Sequence, residues 1–133
     1  MIGVDTNVLL RHTLQDDAVQ APIGTAFLLA AERLAEPALV NPVVLIEFVW
    51  TLMRREGFTK SDLLALMDVL AASPHVVFTD RAAICAAIAD WRIGRADFPD
   101  YLIGHLNRLA GASTTVTFDV DAAAEPAFSL LTS

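Results

Sequence analysis

Five carboxylates occupy positions from which they could do chemistry. Asp5 ends the apolar opening MIGVD, and Asp119 ends TTVTFD. Asp97 and Asp100 open DFPDYLIGHLNRLAG, and Glu47 lies in the middle of NPVVLIEFVWTLMRRE. Glu47 is the anomaly. Its segment reads as a helix, with Pro42 in the first turn and the basic pair Arg54 and Arg55 at the end the dipole favours for cations. Its neighbours three and four residues away are Val43, Val44, Trp50 and Thr51, which offer no polar face. Burying an ionised carboxylate without a partner costs several kcal/mol or more. The expectation is a buried Glu47 compensated by an arginine, a polar pocket or a cation. Hard oxygen ligands gathered without Cys or His suit Mg²⁺ or Mn²⁺.

The other acids also have ordinary explanations. Asp5 is placed to cap the helix after it, as are Asp119 and Asp121. Asp80 directly precedes a long helix and is assigned to capping. Asp97 fits an N-cap, with Pro99 just inside and Asp100 at the third position, where its charge meets the positive helix end.

The elements that must position these acids alternate. Short strands are expected in MIGVD, PALVNP, HVVFT, TTVTFD and AFSLL, the last at an edge. Helices are expected in TNVLLRHTL, in DDAVQAPIGTAFLLAAERLAE from a cap at Asp16 or Asp17, and in PVVLIEFVWTLMRRE, stopped by Gly57. TKSDLLALMDVLAA opens with Thr59 three residues before Asp62, a capping-box start. DRAAICAAIADWRIG and DFPDYLIGHLNRLAG close on Gly94 and Gly111, and DAAAEP adds a turn. Strands alternating with helices predict an α/β chain with a mainly parallel sheet, whose sites form beyond the carboxyl ends of the strands.

At 133 residues and 55% hydrophobic, the chain predicts one domain spanning 1–133 with a single core. Its apolar runs break within about ten to twelve residues, short of a membrane span. The start lacks a basic n-region, so it does not read as a signal peptide, and a cytoplasmic location is the expectation. The one cysteine, Cys85, reads as a small apolar helix residue. The net charge of −7 argues against a broad nucleic-acid-binding surface. Eight of the nine basic residues are arginine, the residue suited to gripping phosphate. Arg11, Arg54, Arg55, Arg92, Arg95 and Arg108 are scattered rather than massed. His12, His75 and His105 lack metal-ligand spacing.

VDTNVLLR, the apolar helix VVLIEFVW with its central Glu, ADFPDYLIGHLNRLAG and TVTFD together resemble the PIN-domain family, and within it the VapC-type toxins of toxin–antitoxin pairs. The resemblance covers nearly the whole chain, in order. It implies a three-layer α/β/α fold around a central, mainly parallel sheet of four to five short strands. It implies that Asp5, Glu47, Asp100 and Asp119 are the pocket acids that hold Mg²⁺ or Mn²⁺, Asp100 being preferred to Asp97 because it directly precedes YLIGHLNRLA. Thr6, Asn7, Asp97 and Thr117 take supporting parts around them. The implied activity is metal-dependent hydrolysis of RNA phosphodiester bonds. The implied partners are a second copy of the chain, giving a homodimer, and a small antitoxin lying in an apolar groove, for which Phe48, Trp50, Met53, Phe58 and Met67 are candidates. No membrane partner is implied.

Two alternatives stand beside this. One is a PIN-like binding module that is catalytically silent. The other is a Mg²⁺-binding receiver-type signalling domain, which needs a lysine late in the chain, whereas the only lysine is Lys60. There is no G-x-x-x-x-G-K-[ST], no G-x-G-x-x-G and no G-x-S-x-G.

Overall fold

The computed structural model describes residues 1–132. The described chain is mixed α/β, with seven helices and five short strands, and it falls into two compact units, Met1–Thr79 and the residues from Asp80 onward.

In the first unit, β1 (Ile2–Gly3), β2 (Ala38–Val40) and β3 (Val76–Phe78) form a parallel sheet in that order. Ile2 lies opposite Ala38, and Val40 opposite Phe78. Parallel neighbours need crossover connections. Helices α1 (Thr6–Leu14) and α2 (Gln20–Arg33) make the first, and α3 (Pro42–Arg54) and α4 (Lys60–Ala72) the second. Each helix buries one stripe. On α3 it is Val44, Leu45, Phe48, Val49 and Leu52, spaced for a single helical face. Leu9, Leu28, Val40, Leu63 and Met67 complete this core.

The helix starts follow from local chemistry. Asn41 accepts the Val44 N–H at 3.1 Å, with Pro42 in the first turn where no amide is lost. Thr59 and Asp62 form the expected reciprocal capping box, at 3.1 and 3.0 Å. Two boundaries differ from expectation. Helix α2 starts only at Gln20, because the Asp17 carboxylate first takes the Val19 and Gln20 amides in a local turn. Helix α3 ends at Arg54, before Gly57, whose left-handed φ of 71° turns the chain after the helix.

In the second unit, α5 (Arg81–Ile93) packs against α6 (Phe98–Leu109), and Trp91 meets Phe98 at 5.5 Å between ring centres. After α6, β4 (Thr115–Thr117), the short α7 (Val120–Ala123) and β5 (Phe128–Leu130) complete the unit. The two strands are parallel, with Thr115 opposite Phe128. Side chains tie α6 to its surroundings. Tyr101 Oη donates to Glu125 at 2.8 Å, His105 Nε2 meets Asp90 at 2.6 Å, and Asn107 donates to Thr115 at 3.0 Å. Burial and the Glu125 carboxylate push the Tyr101 phenol up to about 12.

All five expected strand positions are strands, and all are parallel. They divide between a three-stranded and a two-stranded sheet. Asp80 corrects the capping assignment made for it. It precedes α5 in a left-handed conformation (φ 51°, ψ 41°) and makes no side-chain capping bond. An N-cap reaches the helix amides from extended backbone, which this conformation does not offer. Among the described residues, no helix is long and apolar enough to cross a membrane.

Candidate functional site: an acid-lined cavity in the first unit

Asp5 follows β1 directly. The Val4 N–H donates to Leu39 O at 3.0 Å, which carries the parallel ladder up to the residue before Asp5. Asp5 then caps α1, its Oδ1 accepting the Asn7 N–H at 3.0 Å. The capping explanation is therefore correct for Asp5. It uses one carboxylate oxygen and fixes the orientation of the other.

The packing of α1 on α3 brings Glu47 to the same place. Asp5, Thr6, Asn7 and Glu47 line one cavity of about 420 Å³, together with Leu10, Ile46, Trp50, Thr51 and Arg55. Thr6 is the one buried polar residue among these, 8% exposed. The metal-binding atoms offered are oxygens: two carboxylates, the Thr6 and Thr51 hydroxyls and the Asn7 amide oxygen. That is the set a hard divalent cation takes, so these residues fit Mg²⁺ or Mn²⁺ by chemistry.

The expectation of a buried Glu47 is corrected. Glu47 is exposed, and its carboxylate makes no hydrogen bond or ion pair among the described residues. Its apolar neighbours Val43 and Trp50 are exposed with it, at 63% and 48%. The buried stripe of α3 lies on the other side, so apolar sequence neighbours did not mean an apolar surrounding. Glu47 needs no compensating charge to be tolerated there. What remains to explain is why a solvent-facing helix side carries valine and tryptophan around a lone carboxylate.

The second unit holds the other acids. Asp97 occupies the N-cap of α6, and its N–H donates to the Asp100 carboxylate at 3.3 Å. Asp119 caps α7, accepting the Ala122 N–H at 3.0 Å, while its own N–H donates to Thr117 Oγ1 at 3.0 Å. Thr117 thus holds the backbone of Asp119 in place. Burial raises the Asp100 pKa. The Asp97 N–H pulls it back, and the charges of Asp119 and Asp97 push it up again. Asp100 and Asp119 therefore sense each other as like charges, the situation a bound cation relieves.

Among the described residues, no three His, Cys, Asp or Glu side chains are grouped so that they could hold a metal ion. His105, on α6, is engaged with Asp90. Of the groove candidates, Phe48 and Met67 are fully buried core, Phe58 is half-buried, and Trp50 and Met53 face solvent. The sequence reading missed Trp50 and Arg55 as residues of the Glu47 cavity. The available signal was spacing, since Trp50 lies one helical turn beyond Glu47. No family model matches the chain, and no curated protein matches it.

Proposed function

We propose that this chain is a metal-dependent endoribonuclease of the toxin type, with a PIN-like α/β/α fold. The observation that carries the reading is the convergence of Asp5 and Glu47, from separate elements, on one cavity with Thr6 and Asn7. These are the motif residues by which the sequence resembles that family. Asp5, Glu47, Asp100 and Asp119 are assigned as ligands of Mg²⁺ or Mn²⁺. When bound, such a cation stabilises charge on the scissile phosphate and acidifies water. Asp5 is held by its cap and Asp119 by its cap and Thr117, which orients each carboxylate within its own unit. Glu47, unpaired and open to solvent, accepts the proton of the attacking water. The new P–O bond forms as the bond to the leaving oxygen breaks, and that oxygen takes up a proton from solvent.

As in the family it resembles, the chain is assigned a small antitoxin as its inhibitor and a homodimeric state. An apolar cavity of about 380 Å³ between α1 and α2, lined by Val8, Ile23 and Phe27, supports a peptide-binding groove. The second reading is a catalytically silent binding module. It is favoured by the lack of any three-residue metal group among the described residues.

The test is cleavage of total RNA with Mg²⁺, Mn²⁺ or EDTA, beside Asp5→Asn and Glu47→Gln. Metal-dependent cutting that falls at least about a hundredfold in each variant is expected, the scale of losing a positioned catalytic group. Cutting that survives either change sinks the assignment.

A further inference from the structure

We propose that a second cavity, lined by α5, α6 and the chain leading into β5, binds a small zwitterion: a free α-amino acid with an apolar side chain. The site lies wholly in the second unit and does not depend on the nuclease reading. Its volume is about 330 Å³, in the range of small-molecule sites. Tyr101, His105 and Arg108 line it from one stripe of α6, at helical spacing. Asp90 joins them from α5, and Glu125 from the segment before β5. The apolar lining comes from Pro126, Ala127 and Phe128. Gly104 sets the place of the Phe128 ring, because a Cβ on α6 there would lie 2.7 Å from Cε2.

Two carboxylates and a guanidinium line this one cavity, yet Arg108 pairs with neither acid. Asp90 is engaged through Oδ2 by His105 Nε2 at 2.6 Å, and Glu125 through Oε1 by the Tyr101 hydroxyl at 2.8 Å. Asp90 Oδ1 and Glu125 Oε2 keep no partner among the described residues, and neither does the Arg108 side chain. Free acceptors and a free two-pronged donor therefore border the same apolar lining. A plain cation would be repelled by Arg108, and a plain anion by Asp90 and Glu125. A molecule carrying both charges avoids each repulsion. Its ammonium donates to the free carboxylate oxygens, and its carboxylate takes the grip of Arg108. An apolar side chain then covers Pro126 and Phe128.

The experiment is calorimetric titration of the unsubstituted chain with L-leucine, L-methionine and L-phenylalanine, in EDTA so that no metal mediates the contact. Each is compared with its amide, which lacks the carboxylate, and with its deaminated acid, which lacks the ammonium. At least one amino acid should bind, and both of its analogues should bind at least about tenfold more weakly, the loss of one charged hydrogen-bonded contact. Tyr101 is the chain's only tyrosine, so its ring resonances report on this cavity alone and should shift as the ligand binds. Arg108→Gln should erase the preference for the amino acid over its amide, and Glu125→Gln the preference over the deaminated acid. Arg108 is exposed, and glutamine at 125 keeps an acceptor for Tyr101, so both variants should fold, which circular dichroism checks. No binding by any of the three at millimolar concentration overturns the proposal. An amide that binds equally well makes the cavity a cation site, and a deaminated acid that does so makes it an anion site; either result overturns it. So does binding that leaves the Tyr101 resonances still, which places the ligand elsewhere. Were a variant to unfold, the analogue comparison and the tyrosine signal on the unsubstituted chain would still decide.

Discussion

At Asp100, two roles pull against each other. Its carboxylate completes the start of α6 by accepting the Asp97 N–H, yet burial and the charges of Asp119 and Asp97 raise its pKa. A carboxyl whose folded pKa lies above its unfolded value favours folding most when both states are protonated. Ionisation then costs stability as pH rises through the folded pKa. Asp100→Asn keeps an acceptor for the Asp97 amide and removes the charge. It should therefore raise the melting temperature at neutral pH. The gain should vanish below about pH 3.9, where the aspartate of the unfolded chain is itself protonated. Melting curves across pH test this. A neutral-pH loss would mean that the carboxylate's charge at the helix start outweighs its repulsion. Asp5 and Asp119 teach the same lesson, because each is both a cap and a candidate ligand.

Among the elements, α6 depends most on close fit. Gly104 is buried in mid-helix, where glycine costs about 1 kcal/mol against alanine. A Cβ there would lie 2.7 Å from Phe128 Cε2 and 3.1 Å from Ala127 Cβ. The bare helix surface is what lets the Phe128 ring of β5 lie against α6. Gly104→Ala sets helix propensity against overpacking, which typically costs about 1–3 kcal/mol. Net destabilisation is expected, read as a lower urea midpoint at unchanged slope. A higher midpoint would show that β5 moves aside cheaply. The pairing of β5 with β4 and the 2.8 Å contact between the Thr114 and Ser129 hydroxyls argue that it does not.

For the whole molecule, the net charge of −7 with no massed basic patch means that bound cations have to carry much of any attraction for RNA. Mg²⁺ or Mn²⁺ should accordingly raise the melting temperature of the free chain. A cation that binds only the folded form at a hundredfold excess over its Kd contributes about 2.7 kcal/mol. The shift should shrink in Asp5→Asn and, measured separately, in Asp119→Asn if each carboxylate is a cation ligand. A shift lost in only one of them would confine the binding to that unit. No shift at millimolar metal would leave the binding-module reading in front.

What the sequence determined by itself is what short-range chemistry decides. Five strand positions follow from apolar, β-branched runs between proline, glycine and acid. The Thr59–Asp62 box, the Asn41–Pro42 start and the Asp5 and Asp119 caps follow from residues within three positions of each other. Tertiary structure decided the rest, because it depends on which surfaces meet. Val43 and Trp50 look like core beside Glu47, yet the stripe of α3 that packs is Val44, Leu45, Phe48, Val49 and Leu52. Hydrophobicity does not say which side of a helix its neighbours will cover. Asp80 reads as a cap but sits in a left-handed turn, set by how the chain leaves β3 for α5. Strand pairing into sheets of three and two is a long-range choice between segments of two or three residues. Above all, Asp5 and Glu47 lie more than forty residues apart in sequence. They line one cavity because α1 packs on α3, a contact between helix faces that no local pattern encodes.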